Sequence, residues 1–271
     1  MFLSALNKFL TFFLLMGTVL MLTFIVLSGS VDAFPFNRFY WLQADTSAFT
    51  EASADVTRWT FWGICNPSSY NSSAQGTCSG LGPAVPISPA DNWGYFGLPD
   101  VFITNATTYY YLSRFAFASI LVSLGFSTVA LINSVLSPWW SAMKEVNFVY
   151  TFIAMIFAMA GAACGTSVSI LVRNNFTDAG SAAKIQASVM GMLWASVACL
   201  TIIYFLSCCS ASNKVYKMHK AHQREINHAQ ATQEPAPAAD EFQAPVNEGS
   251  GIRFFKIRKN QQEKTDEESV V

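Results

Sequence analysis

Four stretches of this chain carry no charged side chain: Phe9–Val31, Phe115–Met143, Val146–Val172 and Ile185–Asn213. A helix needs about 20 mostly apolar residues to cross a bilayer, and each stretch is long enough. The pattern predicts spans over residues 9–27, 115–136, 146–172 and 185–208. Pro138 closes the second, because proline rarely continues a helix. The remainder divides into an N-terminus (1–8), a long polar loop (28–114), a short link (137–145), a second loop (173–184) and a tail (209–271). The expected architecture is membrane all-α: a four-helix transmembrane bundle, a small β-sheet domain from the long loop, and a disordered cytoplasmic tail. Lys8 followed by an apolar run and Ser28-Gly29-Ser30 also has the form of a secretory signal. Its apolar core exceeds the roughly 7–15 residues of such signals, so retention as a span is the expectation. Cleavage would leave every loop on the same side.

The charges at the span ends set the orientation. Lys8, Lys144 and the series Lys214, Lys217, Lys220 and Arg224 flank one side. The long loop and its edge carry Arg38, Arg58 and Arg114 against six acids. Basic residues accumulate on the cytoplasmic side, so both termini and the link are expected there, and residues 28–114 and 173–184 outside. Asn71, Asn105 and Asn175 each begin an Asn-x-Ser/Thr sequon, whereas Pro67 disqualifies Asn66. All three lie in or beside the loops assigned to the exterior. So do Cys65 and Cys78, and glycans and disulfides both form in the secretory lumen.

Thr57-Arg58-Trp59-Thr60-Phe61-Trp62-Gly63-Ile64-Cys65 is dense in β-branched and aromatic residues and reads as a strand ending at a glycine. Cys78 follows across a Ser/Asn/Gly-rich turn. Closing a loop of this size stabilises by roughly 3 kcal/mol in the chain-entropy estimate. Cys164, Cys199, Cys208 and Cys209 fall in or near the membrane, which leaves Cys65–Cys78 as the external pair. Two thiolates without histidine do not make a structural zinc site. Phe36, Phe39, Tyr40, Trp41, Trp93, Tyr95 and Phe96 either fill a small external core or form a sugar-stacking surface. Tyr109-Tyr110-Tyr111 reads as an interfacial belt, with Arg114 snorkelling beside it or anchoring the sheet.

Catalytic chemistry has little to stand on. The three histidines (His219, His222, His228) all lie in the tail. The spans hold no acid or base for ion coupling. No glycine-rich phosphate loop, nucleophile elbow or metal-ligand run occurs. No enzyme activity, cofactor, metal or nucleic-acid partner is expected. Small residues cluster at Ala158, Gly161, Ala162, Ala163 and Gly165, and at Ala187, Gly191 and Ala195. They permit close helix packing within one chain or in a homo-oligomer. Cys208 and Cys209 sit where the fourth span meets the cytosol and are palmitoylation candidates, with unmodified thiols the alternative. Lys214, Lys217, Lys220 and Arg224 suit anionic lipid, worth about 1 kcal/mol per basic group, besides stopping transfer. The tail balances nine basic residues against nine acids in separate blocks, a composition that buries no core.

A long first loop with Trp59-x-x-Trp62-Gly63-x-Cys65 and a second cysteine, Cys78, on a four-span chain resembles the claudin-type superfamily. The more specific resemblance is to the fungal Sur-seven/PalI family and its Sur-seven-type eisosome proteins. It rests on Val31-Asp32, Asn37 through Trp41, Arg58 through Gly63, Pro86-Ile87-Ser88-Pro89 with Asp91-Asn92, Tyr110-Tyr111-Leu112 and Arg114-Phe115. Gly191-Met192, Trp194-Ala195-Ser196 and the tail block Phe254-Phe255 with Ile257-Arg258-Lys259 complete it. The resemblance implies a claudin-like external sheet and a structural role in static plasma-membrane furrow patches. That role supports membrane organisation, cell-wall integrity and endocytic control. It further implies cortical eisosome scaffold proteins as partners in a sphingolipid- and sterol-rich domain, with the tail block as their contact. A PalI-like sensor is the alternative, followed by a channel or transporter.

Overall fold

The computed structural model describes residues 2–80, 82–136 and 143–231. They fall into two compact units, through residue 219 and from Lys220 onward. The described part of the second is the end of one helix.

Among the described residues four helices are long and apolar enough to cross a bilayer: α1 (Phe2–Val26), α4 (Ala106–Leu136), α5 (Met143–Asp178) and α6 (Ala187–Ala231). The chain is a multi-pass membrane protein. Two short helices, α2 (Pro89–Trp93) and α3 (Asp100–Thr104), precede α4. The helices outrun the apolar stretches. With 36 residues, α5 is about 54 Å long at 1.5 Å per residue, against about 30 Å of hydrocarbon. The start of α4 and the end of α5 therefore supply a scaffold beyond the bilayer for the loop domain. At its other end α6 continues past Cys208 to Ala231, so the segment 209–231, expected to be disordered, is helical. It contains neither proline nor glycine, and nothing in it breaks the helix.

Small residues decide the packing of α4 on α5. A Cβ added to Gly161 would lie 2.7 Å from Ile120 Cγ1 and 3.3 Å from the Ala116 carbonyl oxygen. Ser123 Oγ donates to the Ala154 carbonyl across the same seam at 2.9 Å. Ala158, Ala162 and Gly165 are buried, whereas Ala163 is exposed. In α6 the small residues Ala187, Gly191 and Ala195 are exposed; the seam there is Val189, Leu193, Val197, Leu200 and Ile203. Trp194 Nε1 donates to Thr166 Oγ1 at 3.2 Å, and Tyr204 stacks on Phe148 with ring centroids 5.2 Å apart. These contacts fix α6 against α5.

The long loop folds into an antiparallel sheet of β1 (Leu42–Asp45), β2 (Val56–Trp59), β3 (Ile64–Asn66) and β4 (Thr77–Ser79), joined by β5 (Ala183–Ile185) from the second loop. The order is β4-β3-β2-β1-β5. Leu42 pairs with Ile185 and Ala44 with Ala183. Both loops thus share one sheet, and the entry to α6 is tied to the exit from α1. The single strand expected over Thr57–Cys65 is instead a hairpin, β2 and β3 folded about Thr60–Gly63. Thr60 accepts and donates across the turn: Thr60 N to the Gly63 carbonyl at 3.1 Å, and Gly63 N to Thr60 Oγ1 at 3.0 Å.

Candidate functional site

The hairpin turn is the plug that seats the sheet on the bundle. Phe61, buried, packs edge-on to Phe117 of α4 at 5.0 Å and against Trp41 at 4.5 Å. Trp62 Nε1 donates to the Val26 carbonyl at 2.6 Å, satisfying one of the orphan acceptors at the C-terminal end of α1. Trp59 is fully buried. Its Nε1 donates to Asn92 Oδ1 at 2.8 Å, and its ring meets Trp93 and Phe176 at 5.5 and 5.8 Å. Phe49 and Phe102 close this cluster against Phe176. Aromatic pairs at such separations add about 0.5–1.5 kcal/mol each beyond buried area.

Trp41 stands directly over Gly165. A Cβ at that glycine would come within 2.7 Å of the indole Cζ3. Gln186, between β5 and α6, holds the segment that leads into β1. Its Oε1 accepts from Tyr40 N at 2.6 Å, and its Nε2 donates to the Arg38 carbonyl at 2.7 Å. Sequence reasoning missed Gln186. Its signal is a lone amide at the start of an apolar run.

Arg58 is 1% exposed and its partners are neutral. Nε donates to Gln43 Oε1 at 2.7 Å, Nη1 to the Ala74 carbonyl at 2.7 Å and Nη2 to the Ser72 carbonyl at 2.5 Å. The guanidinium also lies 4.6 Å from the Tyr40 ring centroid. Burial pushes the Arg58 pKa down, opposed by Tyr40, while burial pushes the Tyr40 phenol up. Gln43 Nε2 and Lys184 Nζ both donate to the Tyr70 carbonyl, at 2.7 and 3.2 Å. Gln75, also buried, donates to the Phe39 carbonyl. These donors pin the loop between β3 and β4 to the sheet. Cys65 and Cys78 close its base in a disulfide (S–S 2.04 Å) at paired register positions of β3 and β4. Arg58, Trp59, Trp62, Gly63, Cys65 and Cys78 are therefore brought together in one fold element, the β2–β3 hairpin with its β4 partner. Among the described residues no cluster of His, Cys, Asp or Glu could hold a metal.

The other candidate residues stand apart. Asn71 is exposed on the pinned loop. Asn105 is half-buried and donates to the Val101 carbonyl at 2.9 Å. Asn175 lies within α5 and donates from Nδ2 to the Tyr109 hydroxyl. Of the aromatics, Tyr40 and Trp41 are core, whereas Tyr95 and Phe96 are 55% and 84% exposed. Arg114 lies 4.2 Å from the Tyr110 ring centroid, at the mouth of the bundle. Cys208 is half-buried and Cys209 exposed. Lys220 and Arg224 are exposed on α6, which also carries Lys214 and Lys217. Phe254, Phe255, Ile257, Arg258 and Lys259 lie outside the described residues.

Residues 7–206 match the sequence profile of the SUR7/PalI family. A protein of Candida albicans (strain SC5314 / ATCC MYA-2876) named SUR7 is 42% identical over 271 residues, covering 97% of this chain and 98% of the relative. A Saccharomyces cerevisiae (strain ATCC 204508 / S288c) protein also named SUR7 is 40% identical over 195 residues, 71% of this chain and 63% of that protein's length. A further protein of that yeast, described as an uncharacterized plasma membrane protein, is 26% identical over 258 residues, 93% of this chain and 83% of its own length.

Proposed function

The chain belongs to the SUR7/PalI family, and from that premise we propose that it organises a static lateral domain of the plasma membrane. In this reading the sheet faces the exterior, both termini are cytoplasmic, and the protein sits in eisosome-associated furrow patches. It supports membrane organisation, cell-wall integrity and endocytic control. The plasma-membrane location draws support from the description of one relative. The observation that carries the reading is the plug. Phe61 and Trp62 are driven into the bundle, Trp41 over Gly165 and Gln186 against the segment before β1, so loop domain and spans pack as one compact unit. A rigid external frame on a multi-pass anchor suits a component that holds position. A gated pore needs polar lining, and the apolar stretches carry no charge.

The cytoplasmic side supplies retention. Lys214, Lys217, Lys220 and Arg224 attract anionic lipid, and acylation of Cys208 and Cys209 adds hold. The block Phe254–Lys259 contacts the cortical scaffold. The test has two arms in cells expressing a fluorescent fusion. Neutralising the four basic residues removes up to about 4 kcal/mol of lipid attraction, so patches thin while membrane residence survives. Deleting residues 251–271 uncouples the patches from the scaffold. Wild-type patch density in both variants contradicts tail-based retention.

A further inference from the structure

The aromatic residues of the long loop, each able to serve as core or as a stacking surface, are divided by the fold. Tyr40 and Trp41 are buried, and Phe36, Phe39 and Trp93 half-buried, whereas Tyr95 and Phe96 are exposed. Phe96, at 84%, is the most exposed large apolar side chain among the described residues. The chain on either side of the pair is anchored. Trp93 stacks on Phe49 with centroids 6.4 Å apart, and Leu98 is buried. Between them the chain turns at Gly94 (φ 91°) and Gly97 (φ 69°), in the left-handed region that favours glycine. Gly94 N donates to the Ala90 carbonyl at 2.9 Å, and a Cβ on Gly97 would lie 3.3 Å from Thr50 Oγ1. Tyr95 and Phe96 thus project from a loop whose two ends are fixed in the aromatic core. A contiguous exposed apolar pair on such a support marks a contact surface.

Its surroundings select the occupant. The core beneath the loop meets α5 at Phe176, about 16 Å along the helix from Gly165, where Trp41 of the sheet already sits. The loop therefore stands clear of the hydrocarbon. Glu51, Asp91 and Asp100 are exposed around it, and the chain carries no lysine, arginine or histidine from Trp59 to Ser113. Such a rim repels phosphate and other anions. A neutral sugar ring suits both features. Its C–H face is electropositive and stacks on the negative face of an aromatic ring, and its hydroxyls donate charge-assisted hydrogen bonds to carboxylates. β-Linked glucose holds every ring substituent equatorial, so both its faces are C–H surfaces. Mannose turns its 2-hydroxyl axial and interrupts one face.

We propose that Tyr95 and Phe96 form a docking platform for chains of β-linked glucose, with Glu51, Asp91 and Asp100 as hydroxyl acceptors. The inference rests on the external placement of the sheet in the reading above and names what the sheet touches there.

The test uses the purified full chain in phospholipid nanodiscs, free of sugar-headed detergent, titrated with laminarihexaose or mannohexaose. Binding is read by saturation-transfer NMR. Wild type is expected to bind laminarihexaose and to hold mannohexaose about tenfold more weakly. Tyr95→Ala and Phe96→Ala are each expected to weaken laminarihexaose about tenfold, the worth of one aromatic stack. Their thermal midpoints should match wild type, because both side chains are exposed. No binding by wild type, equal affinity for the two sugars, or undiminished binding by both variants overturns the proposal. So does a Phe96-dependent dimer without sugar binding, which assigns the patch to a second copy. Binding in nanodiscs requires no patch in a cell. A protein that binds laminarihexaose yet diffuses freely in cells contradicts the organising role alone, and an immobile protein that does not bind it contradicts this proposal alone.

Discussion

Gly165→Ala probes the seat of the sheet on the bundle most sharply, because its sign is expected to depend on Trp41. The new Cβ would lie 2.7 Å from Cζ3 and 3.0 Å from Cη2 of that fully buried indole. Overpacking of this kind costs about 1–3 kcal/mol. Replacing glycine by alanine within a helix returns up to about 1 kcal/mol. With the full return the net loss is about 0–2 kcal/mol, a thermal midpoint lower by up to about 8 °C for a protein of this size. Trp41→Phe removes the atoms that the Cβ meets. That change loses about 1–2 kcal/mol of buried ring. It also deletes an indole N–H that is buried with no partner among the described residues, an omission worth about 1–3 kcal/mol. Alone it should be near neutral. In the Trp41→Phe background Gly165→Ala should be neutral or stabilising, a coupling of about 1–3 kcal/mol in a double-mutant cycle. Thermal unfolding in detergent, followed by tryptophan fluorescence and by a thiol-reactive dye, reads all four proteins. If Gly165→Ala shifts the midpoint equally in both backgrounds, Trp41 does not sit on Gly165.

Arg58→Lys should destabilise by at least about 1–3 kcal/mol, since one ammonium cannot reproduce a fork over Gln43, Ala74 and Ser72; faster proteolysis between Cys65 and Cys78 would report it. Cys65→Ser and Cys78→Ser should each lower surface expression, and the double variant should be no worse than either; labelled free thiols at both positions of the mature protein would refute the bridge. Among the sequons, Asn71→Gln should reduce a glycosidase-sensitive mobility shift, whereas Asn175→Gln should leave the shift unchanged and cost about 1 kcal/mol through the lost Tyr109 bond. Burial holds the Tyr40 phenol above its ordinary value of 10.0. Its contribution is then fully present below pH 10 and lost as pH rises through the raised folded value. Tyr40→Phe should flatten the alkaline limb of a stability–pH profile, and an unchanged limb would assign that limb to other groups.

The spans were legible because charge is absent from four long stretches, and no local competitor exists for such runs. The hairpin was not. Thr60, Phe61, Trp62 and Gly63 have the composition of a strand, but Phe61 and Trp62 are aromatic because the turn enters the bundle, not because it is pleated. β5 carried no local signal, since Ala183-Lys184-Ile185 becomes a strand only by pairing with Leu42–Ala44. The role of Arg58 was equally hidden. Its acceptors are backbone carbonyls at Ser72 and Ala74, which no side-chain pattern announces. The small residues of α5 were readable as a packing face, although Gly165 serves the sheet as well as α4. Asn175 matches a sequon by type, yet its amide belongs to the hydrogen bond with Tyr109.

The central claim is that this chain is a fixed organiser of a membrane domain, and lateral mobility tests it most directly. The measurement is fluorescence recovery after photobleaching of the tail-fused wild-type protein in living cells, beside an unrelated four-span protein in the same membrane. Discrete cortical patches are expected, whose fluorescence does not recover while the reference protein exchanges freely. Recovery at the reference rate, or a signal spread evenly along the membrane, would contradict it.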